Sequence, residues 1–492
     1  MSQIADLSRS TIPMRQTEHD AFLRQIKPMV TEEKRQATNI IMILMDDLGW
    51  GDLSCFGSQA IRTPNLDRLA DEGIVMENSY SSSPICTPSR FGLLTGRYPC
   101  RGLIDNVFFP TIPVEDHQII AQRYEIADDE IDGRASPQLI ERTRALYQRI
   151  SHESLVNGIL EDELTIAELL SARGYRTGMF GKWHLGDHSP HLPNDKGFDY
   201  FYGAHYSNDM CPYHFWRNRE IAVEAPFDQR QITGLLNQEL FSFIRQSGPE
   251  PFFAYYASPW PHHPISSGQA FAGTSKAGVY GDCIEEFDHG IGELLDLLEY
   301  EGKLDQTLIV FTSDNGPWHQ GSPGLHRGRK GNVFDGGQIV PTLIHWPAGG
   351  QSGITINEPV MNIDFFPTFS DLAGIPLPDD RIIDGCSLLP LLRGDETRSP
   401  HDVLFFVDST VPIRETQGYA IRSRDHFKYF AAKKSENSVY QSMMIHPFLF
   451  DLQADPNESY DVRSIHPAKA SELKDQLEAF NASVRQNPRG WI

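Results

Sequence analysis

Three apolar runs along the chain have the pattern of strands that are buried on both faces. Asn39 to Met45 reads Asn-Ile-Ile-Met-Ile-Leu-Met, and Pro251 to Ala257 and Thr307 to Phe311 are similar. A nearly continuous apolar run of this length is typical of the central strands of a parallel sheet, because both faces of such a sheet are covered. The pattern therefore predicts three central strands.

Segments with helical patterns lie between these strands, at Asn65 to Glu72, Leu164 to Arg173 and Asp282 to Tyr300. Alternating strands and helices indicate a doubly wound α/β domain. In such a domain ligands bind beyond the carboxyl ends of the strands. Polar residues that directly follow the strands are therefore expected to converge although they lie far apart in sequence.

The pattern changes after about residue 395, where shorter segments predict antiparallel strands at Val403 to Val407, Gly418 to Ser423 and His426 to Phe430. Ala468 to Arg485 predicts a terminal helix. We therefore expect a polar N-terminal extension over residues 1–37, a large α/β domain over 38–395, and a smaller C-terminal α+β domain over 396–492.

The stretch Ile112 to Asn157 is long and charged, with a helical pattern over Pro137 to Ile150. Unpaired charges are costly to bury, which argues against a place in the core. The stretch is interpreted as an insertion, and a solvated surface segment, a lid over a pocket and a subunit contact all stay open for it.

Two pairs of oxygen-bearing residues come directly after predicted strands: Asp46-Asp47 after the first and Asp314-Asn315 after another. Four hard oxygen ligands suit Ca²⁺, with Mg²⁺ as the alternative, and not Zn²⁺. Either pair alone is more often part of a turn or a helix cap. Together they predict one metal site.

Cationic and imidazole side chains also flank the predicted strands. Lys182 and His184 lie in Gly181-Lys182-Trp183-His184-Leu185-Gly186, two residues apart, so on an extended chain both would face the same way. His262 follows the run that ends at Ala257, and Lys330 lies in a loop rich in Gly and positive charge. Any one of them alone is more often a solvated or satisfied residue.

Cys86 opens the run Cys86-Thr87-Pro88-Ser89-Arg90-Phe91-Gly92-Leu93-Leu94-Thr95-Gly96. Thr87 and Pro88 suit the first turn of a helix, so Cys86 is expected at a helix N-terminus, where the dipole favours an anion. Arg90 lies four residues on and shares a helix face with Cys86. A lone cysteine is usually a buried structural thiol, and the whole string is what favours a functional role.

Composition limits the classes of partner. The chain has 492 residues, 40% of them hydrophobic, and a net charge of −23. That charge argues against nucleic acid as a partner, and no stretch has the ~20 apolar residues of a membrane span.

The six cysteines have no paired metal-ligand spacing. The first 37 residues lack a secretory signal pattern, so we expect a cytoplasmic protein if Met1 is the native start.

The Cys86 string resembles the first signature of the formylglycine-dependent sulfatases, Cys-x-Pro-Ser-Arg-x-x-x-Leu-Thr-Gly. From about residue 38 to 460 the chain is similar to the arylsulfatase A-like branch of that family, within the alkaline phosphatase superfamily. The further motifs that carry this resemblance are Asp46-Asp47-Leu48-Gly49-Trp50-Gly51-Asp52, Thr63-Pro64-Asn65-Leu66-Asp67, Gly181-Lys182-Trp183-His184, Tyr206-Ser207-Asn208-Asp209, Pro261-His262-His263-Pro264, Ser313-Asp314-Asn315-Gly316 and Leu449-Phe450-Asp451-Leu452.

The resemblance implies an alkaline phosphatase-like mixed sheet flanked by helices, and hydrolysis of a sulfate monoester through a sulfo-enzyme intermediate. It implies that a formylglycine-generating enzyme converts Cys86 to formylglycine (3-oxoalanine). The implied metal ligands are Asp46, Asp47, Asp314, Asn315 and residue 86. Lys182, Ser207, His262 and Lys330 would contact the sulfate, His262 or Lys330 would protonate the leaving alcohol, His184 would take a proton from residue 86, and Arg90 would hold residue 86.

Several alternatives stay open. A formylglycine-dependent phosphonate monoester or phosphodiester hydrolase would use the same nucleophile, and a catalytically inactive sulfatase-like binding protein would lack one of these residues, all of which are present. The sequence does not separate a small-molecule sulfate ester from a carbohydrate one, nor a monomer from a homo-oligomer. One departure stands out: where the family often has Glu-Gly-Gly-x-Arg, this chain has Asp335-Gly336-Gly337-Gln338-Ile339.

Overall fold

The computed structural model describes residues 12–104, 106–111, 156–210, 212–407, 418–432 and 447–492. The predicted insertion, including its helix over Pro137 to Ile150, lies outside the described residues except at its last two positions. Within the described residues, no helix combines the length and the apolar character that a membrane crossing needs.

A large mixed sheet forms the centre of the molecule. Ten of the strands in the described chain belong to it, in the order β11-β2-β10-β9-β1-β8-β4-β5-β6-β7. Their bounds are β1 Asn39–Met45, β2 Ile74–Met76, β4 Arg176–Lys182, β5 Tyr200–Ala204, β6 Phe215–Arg217, β7 Glu220–Val223, β8 Phe252–Ala257, β9 Thr307–Ser313, β10 Thr342–His345 and β11 Ile354–Ile356. A further parallel pair joins β3 Ser79–Tyr80 to β12 Val360–Met361.

The centre of this sheet is parallel. The pairs β1–β8, β1–β9, β4–β8 and β4–β5 all run in the same direction, whereas β10 is antiparallel to both β9 and β2. The seven residues of β1 are all buried, and alternate residues contribute to two separate apolar clusters. Both faces of the sheet are therefore covered, as the apolar runs predict, and the predicted doubly wound mixed α/β architecture is confirmed.

Helices cover both faces and connect the strands. Their bounds are α1 Gln16–Gln25, α2 Thr31–Gln36, α3 Pro64–Glu72, α4 Cys86–Thr95, α5 Ile166–Arg173, α6 Ile232–Gln246, α7 Gly278–Tyr300, α8 Asp335–Gln338, α9 Phe365–Leu372, α10 Leu389–Arg393 and α11 Pro467–Gln486. The polar pattern of residues 1–37 did not predict α1 and α2. His19 of α1 lies 3.1 Å from a carboxylate oxygen of Glu168 on α5, which attaches this segment to the catalytic domain.

The C-terminal region has an antiparallel sheet of β13 Val403–Val407, β14 Gly418–Ser423, β15 Phe427–Phe430 and β16 Phe448–Asp451. Leu473 and Leu477 of α11 pack against Ile421, Tyr429 and Leu449 of this sheet in a small apolar cluster. The smaller α+β unit is thus confirmed as an architecture, whereas its boundary at residue 395 and the boundary at residue 37 stay predictions.

Candidate active site

The two predicted metal-binding pairs lie side by side at one edge of the sheet. β1 and β9 are parallel neighbours, and Met45 is paired with Ser313, so the residues that follow both strands emerge together. The backbone N–H of Asp47 donates to Asp314 Oδ1 at 3.3 Å, and Asn315 Nδ2 donates to Asp47 Oδ1 at 2.7 Å. All four residues of these pairs are buried.

Cys86 is the first residue of α4, as the string predicts, and Pro88 lies in the first turn. The helix ends at Thr95 and is capped by Gly96, whose φ of +69° is the left-handed conformation that glycine adopts without strain. The sulfur of Cys86 and one ligand atom each of Asp46, Asp47 and His262 all lie within 4.8 Å of one another. Residue 86 therefore belongs to the same buried group as the carboxylates.

Arg90 is fully buried one turn further along α4. Its Nε and Nη2 lie 2.9 and 2.8 Å from Asp314 Oδ2, and Nη1 donates to the carbonyl of Lys182 at 2.7 Å. The guanidinium thus fixes the carboxylate beside residue 86. The expectation that Arg90 contacts residue 86 directly stays a prediction.

Two lysines neutralise the aspartates. Lys182 Nζ lies 2.5 Å from Asp46 Oδ2, and Lys330 Nζ lies 2.7 Å from Asp47 Oδ1. Lys182 also donates to the hydroxyl of Ser207 at 3.1 Å, and that hydroxyl lies 3.3 Å from His262 Nδ1. The hydroxyl of Ser207 therefore lies between Lys182 and His262, to which the family resemblance assigns the same role of contacting the sulfate.

His184 is buried, but not in the way that the sequence predicts. β4 ends at Lys182, and His184 has a φ of +60°, so the expectation that Lys182 and His184 share one side of an extended chain is wrong. The ring is held by the carbonyl of Phe108, 3.1 Å from Nε2. Since a carbonyl only accepts, Nε2 carries the proton and Nδ1, which has no hydrogen-bond partner among the described residues, has a free lone pair.

His262 is oriented by two residues that the sequence analysis did not single out. Its Nδ1 lies 2.6 Å from the carbonyl of His263 and 3.2 Å from Oδ1 of Asn208. Its Nε2 is consequently the nitrogen that faces Asp47 Oδ2, at 3.7 Å. Asn208 follows Ser207 in the motif Tyr206-Ser207-Asn208-Asp209, and this motif is the sequence signal that could have identified it. The role of the His263 carbonyl follows only from the fold.

The formal charges of the site are balanced before any ligand is added. Three carboxylates (Asp46, Asp47 and Asp314) face three cations (Arg90, Lys182 and Lys330), all of them wholly or largely buried. Burial opposes ionisation of Asp46, but the nearby charge of Lys182 outweighs it and lowers the pKa of that carboxyl. A divalent cation would leave the site with a net positive charge that suits a sulfate ester.

Burial raises the pKa of the Cys86 thiol to about 12. The thiolate, and not the thiol, is the nucleophilic form of cysteine. At neutral pH an unmodified Cys86 is therefore protonated and a weak nucleophile, despite the three cations around it.

The donor set fits a hard divalent cation. Asp46 Oδ1 and Asn315 Oδ1 are both buried and have no hydrogen-bond partner among the described residues. Buried acceptors are normally satisfied, and a cation would satisfy both. The thiol of Cys86 and the imidazole of His262 are softer donors, so oxidation of residue 86 to an oxygen-bearing group would shift the set toward the oxygen ligands that Ca²⁺ and Mg²⁺ prefer.

Asp335 and Ile339, where the sequence departs from the family pattern, lie near the contact between the catalytic domain and the C-terminal sheet. The carboxylate of Asp335 accepts from Lys428 Nζ at 2.6 Å and from the hydroxyl of Tyr80 at 2.9 Å. Its backbone N–H donates to Glu458 at 2.7 Å, and Ile339 is buried in the larger apolar cluster. These contacts join the catalytic domain to the C-terminal sheet.

Two protein-family models match the sequence of this chain. The model described as Sulfatase matches residues 38–118 and 134–375. The model described as N-sulphoglucosamine sulphohydrolase, C-terminal, matches residues 329–485. The two matches together extend over nearly the whole described chain.

Individual proteins agree with this assignment. Human arylsulfatase A is 33% identical over 498 residues, covering 91% of this chain and 88% of that protein. Human steryl-sulfatase is 32% identical over 523 residues, covering 85% and 83%. A solved structure from Bacteroides thetaiotaomicron, described in connection with the metabolism of multiple glycosaminoglycans, superposes with a TM-score of 0.75 at 26% identity, covering 91% of this chain and 100% of that one.

Proposed function

Because the chain belongs to the sulfatase family and hydrolyses sulfate esters, we propose that it does so with a formylglycine formed from Cys86 and with a bound Ca²⁺. The observation that carries the proposal is the buried group of Cys86, Asp46, Asp47 and His262 atoms within 4.8 Å of one another, together with the unsatisfied acceptors Asp46 Oδ1 and Asn315 Oδ1. The partner that supplies the modification is a formylglycine-generating enzyme.

The formylglycine and the cation have defined tasks. Hydrated formylglycine would supply a nucleophilic hydroxyl and a second hydroxyl for release of the sulfate, and the cation would supply positive charge. Asp46, Asp47, Asp314 and Asn315 would hold the cation.

The remaining residues bind the sulfate and move protons. Lys182 is held by Asp46 and Lys330 by Asp47, so both would present fixed positive charge to the sulfate oxygens. Such preorganised charge often contributes more to catalysis than any other single effect. His262 and Lys330 both approach Asp47 and are the two candidates to protonate the leaving alcohol. His184 accepts a proton through Nδ1, because Phe108 fixes the proton on Nε2.

The modification can be tested with two preparations of the chain, produced with and without a co-expressed formylglycine-generating enzyme. Peptide mass spectrometry gives the fraction in which the thiol of residue 86 has become an aldehyde, and sulfate release from 4-nitrophenyl sulfate gives the rate. We expect the rate to follow the modified fraction and to vanish in Cys86→Ala. Cys386→Ala, at a partly buried thiol outside the site, is the matched control. Full activity from wholly unmodified protein would contradict the proposal.

The metal has a readout that does not depend on activity. After chelation, Ca²⁺ should raise the unfolding temperature of the protein, because a ligand that binds only the folded state stabilises it by ~2.7 kcal/mol at a hundred times its Kd. Asp46→Asn should abolish that shift. A larger shift with Mg²⁺ than with Ca²⁺ would change the assignment of the metal, and no shift with either would remove the cation from the proposal.

A further inference from the structure

A cavity of about 210 Å³ adjoins the catalytic edge of the sheet. It lies on the side of His184 and Ser207, between the loop after β5 and the segment that follows Phe108. Side chains that line it, and that carry the argument below, are Asp187, His205, Tyr206, Tyr213, His214 and Trp216.

The cavity is continuous with the catalytic groups through shared residues. The ring of Tyr206 packs edge-on against His184, with centroids 5.9 Å apart, and Tyr206 directly precedes Ser207. The backbone N–H of His184 donates to the carbonyl of His205 at 2.9 Å. A group bound in the cavity would therefore be next to a sulfate held at the site.

His205 Nε2 and the hydroxyl of Tyr213 are among the polar atoms of the cavity wall that have no hydrogen-bond partner among the described residues. Both residues are more than nine-tenths buried, with exposed fractions of 7% and 6%. His205 is also fixed in orientation, because its ring is stacked between Phe201 and Trp216 at centroid distances of 5.6 and 4.8 Å. A rigid, buried and unsatisfied polar atom that lines a cavity indicates a ligand that satisfies it.

The charge of the wall is negative. Asp187 accepts from the hydroxyl and the N–H of Thr111, and no lining residue among those the structure describes is Lys or Arg. Burial lowers the pKa of His205 to about 4, so that imidazole is neutral at neutral pH. The half-exposed His188, 2.8 Å from Asp187, lies outside the lining. A second anion in this cavity would meet a carboxylate without a facing cation.

We propose that this cavity receives the alcohol half of the sulfate ester and selects a single neutral ring that carries hydrogen-bonding groups over a ring that carries a second negative charge. The aromatic wall provides a stacking surface, and His205 and Tyr213 provide the hydrogen bonds. The volume is below the ~300–1,000 Å³ of pockets for drug-sized ligands, which fits one ring. The inference rests on the proposed function, whose sulfate subsite it extends.

The test uses pairs of phenyl sulfates of nearly equal shape, substituted at the meta or para position with a carboxamide or a carboxylate. We expect modified wild-type enzyme to have a kcat/KM at least about 10-fold higher for the carboxamide member, since like charges in close contact are strongly disfavoured. Asp187→Asn should move this ratio toward one, mainly through KM.

A second variant separates hydrogen bonding from packing. His205→Phe keeps the stacked ring but removes Nε2, so kcat/KM for the carboxamide ester should fall about 3- to 10-fold, as for one lost hydrogen bond. The ratio of kcat/KM for the carboxamide ester to kcat/KM for unsubstituted phenyl sulfate should fall by the same factor, because the unsubstituted ring has no group to accept or donate this hydrogen bond. Tyr460→Phe, at an exposed ring outside the cavity, is the control and should behave as wild type with all substrates.

The same pairs bound to Cys86→Ala protein, measured by calorimetry, distinguish the two proposals. If turnover is absent in every preparation but the carboxamide ester still binds more tightly, the mechanism fails and the cavity assignment stands. If the carboxamide and carboxylate members of each pair have equal kcat/KM and equal Kd, both in wild type and in Asp187→Asn, the cavity assignment is overturned.

Discussion

Two buried charge clusters of this protein look alike in composition and differ in what they leave unsatisfied. The catalytic cluster has three aspartates against Arg90, Lys182 and Lys330. The second, which we name the Trp491 cluster, joins the C-terminus to the catalytic domain and consists of Arg97, Arg381, Arg489, Asp162, Glu163 and Trp491.

In the Trp491 cluster the acids are saturated. Arg97 lies 2.6 Å from Glu163, and Arg489 lies 2.7 Å from Asp162 and 3.0 Å from Glu163. Burial opposes ionisation of Glu163, but Arg97 and Arg489 lower its pKa to about 2. The ring of Trp491 covers the guanidiniums, 4.6 Å from that of Arg489 and 5.0 Å from that of Arg381.

The catalytic cluster instead keeps two buried acceptors that have no partner among the described residues, and it adjoins a cavity. Buried charge is thus common to a structural and a chemical site. The difference is in the kind of atom left without a partner: in the Trp491 cluster these are the donors Arg489 Nε and Trp491 Nε1, whereas the catalytic cluster leaves the acceptors Asp46 Oδ1 and Asn315 Oδ1, which can bind a cation. The comparison predicts that substitutions in the catalytic cluster change rate and that substitutions in the Trp491 cluster change stability.

The largest effect should come from the proton-transfer groups. His262→Ala and Lys330→Ala should each lower kcat of the modified enzyme by ~10²–10⁴-fold, the usual contribution of general acid–base groups. The unfolding midpoint in urea should fall less than in Arg489→Ala, because the side chains of His262 and Lys330 are 13% and 12% exposed whereas that of Arg489 is fully buried. Steady-state kinetics with 4-nitrophenyl sulfate checks this, with His319→Ala as a surface control. Near-normal rates in both variants would show that neither group protonates the leaving alcohol.

Arg489→Ala should have the opposite profile. Removing one partner of a buried ion pair costs ~3–5 kcal/mol, because the remaining charges stay buried without compensation. We expect a loss of this size in the free energy of unfolding, with kcat/KM of the folded enzyme unchanged. Urea denaturation at constant pH measures the first quantity. A variant that is stable but slow would mean that the Trp491 cluster takes part in catalysis.

Trp491→Leu should destabilise less. It keeps an apolar side chain at a half-buried position and removes the aromatic face, and a cation–π contact is worth ~0.5–2 kcal/mol. The same denaturation experiment applies. The free energy of unfolding should be highest in wild type, lower in Trp491→Leu and lowest in Arg489→Ala. A Trp491→Leu variant as unstable as Arg489→Ala would show that the indole, and not the ion pairs, supplies the stability.

The smallest effect concerns two histidines outside both clusters. Burial disfavours protonation of His19 and His401, but Glu168 and Asp364 respectively outweigh it and raise the pKa of each ring above its ordinary value of 6.5. Between the unfolded and the folded pKa the folded state binds more protons, so stability falls as pH rises through the folded pKa.

We therefore expect these pairs to make their full contribution to the free energy of unfolding below pH ~6.5, and we expect that contribution to decline above this pH. Urea midpoints measured from pH 6 to pH 9 in wild type and in His19→Gln with His401→Gln check this. The double variant should have a flatter profile. An equally steep decline in the variant would assign the pH dependence to other groups.

The sequence by itself determined the central elements and the positions of the chemistry. β1, β13 and β14 have the bounds that the apolar patterns predict, and Cys86 opens a helix as the string predicts. The two oxygen-bearing pairs converge because parallel strands place their carboxyl ends at one edge. These features follow from local periodicity and from topology, both of which a sequence records.

Only the tertiary structure decided which atoms meet. Arg90 binds Asp314 and the carbonyl of Lys182, His184 turns away from an extended path, and the cavity wall combines Asp187 with residues of the loop after β5. The Trp491 cluster joins residues more than three hundred positions apart. Such contacts depend on how side chains from distant segments pack against each other, and no period or spacing along one chain specifies that packing.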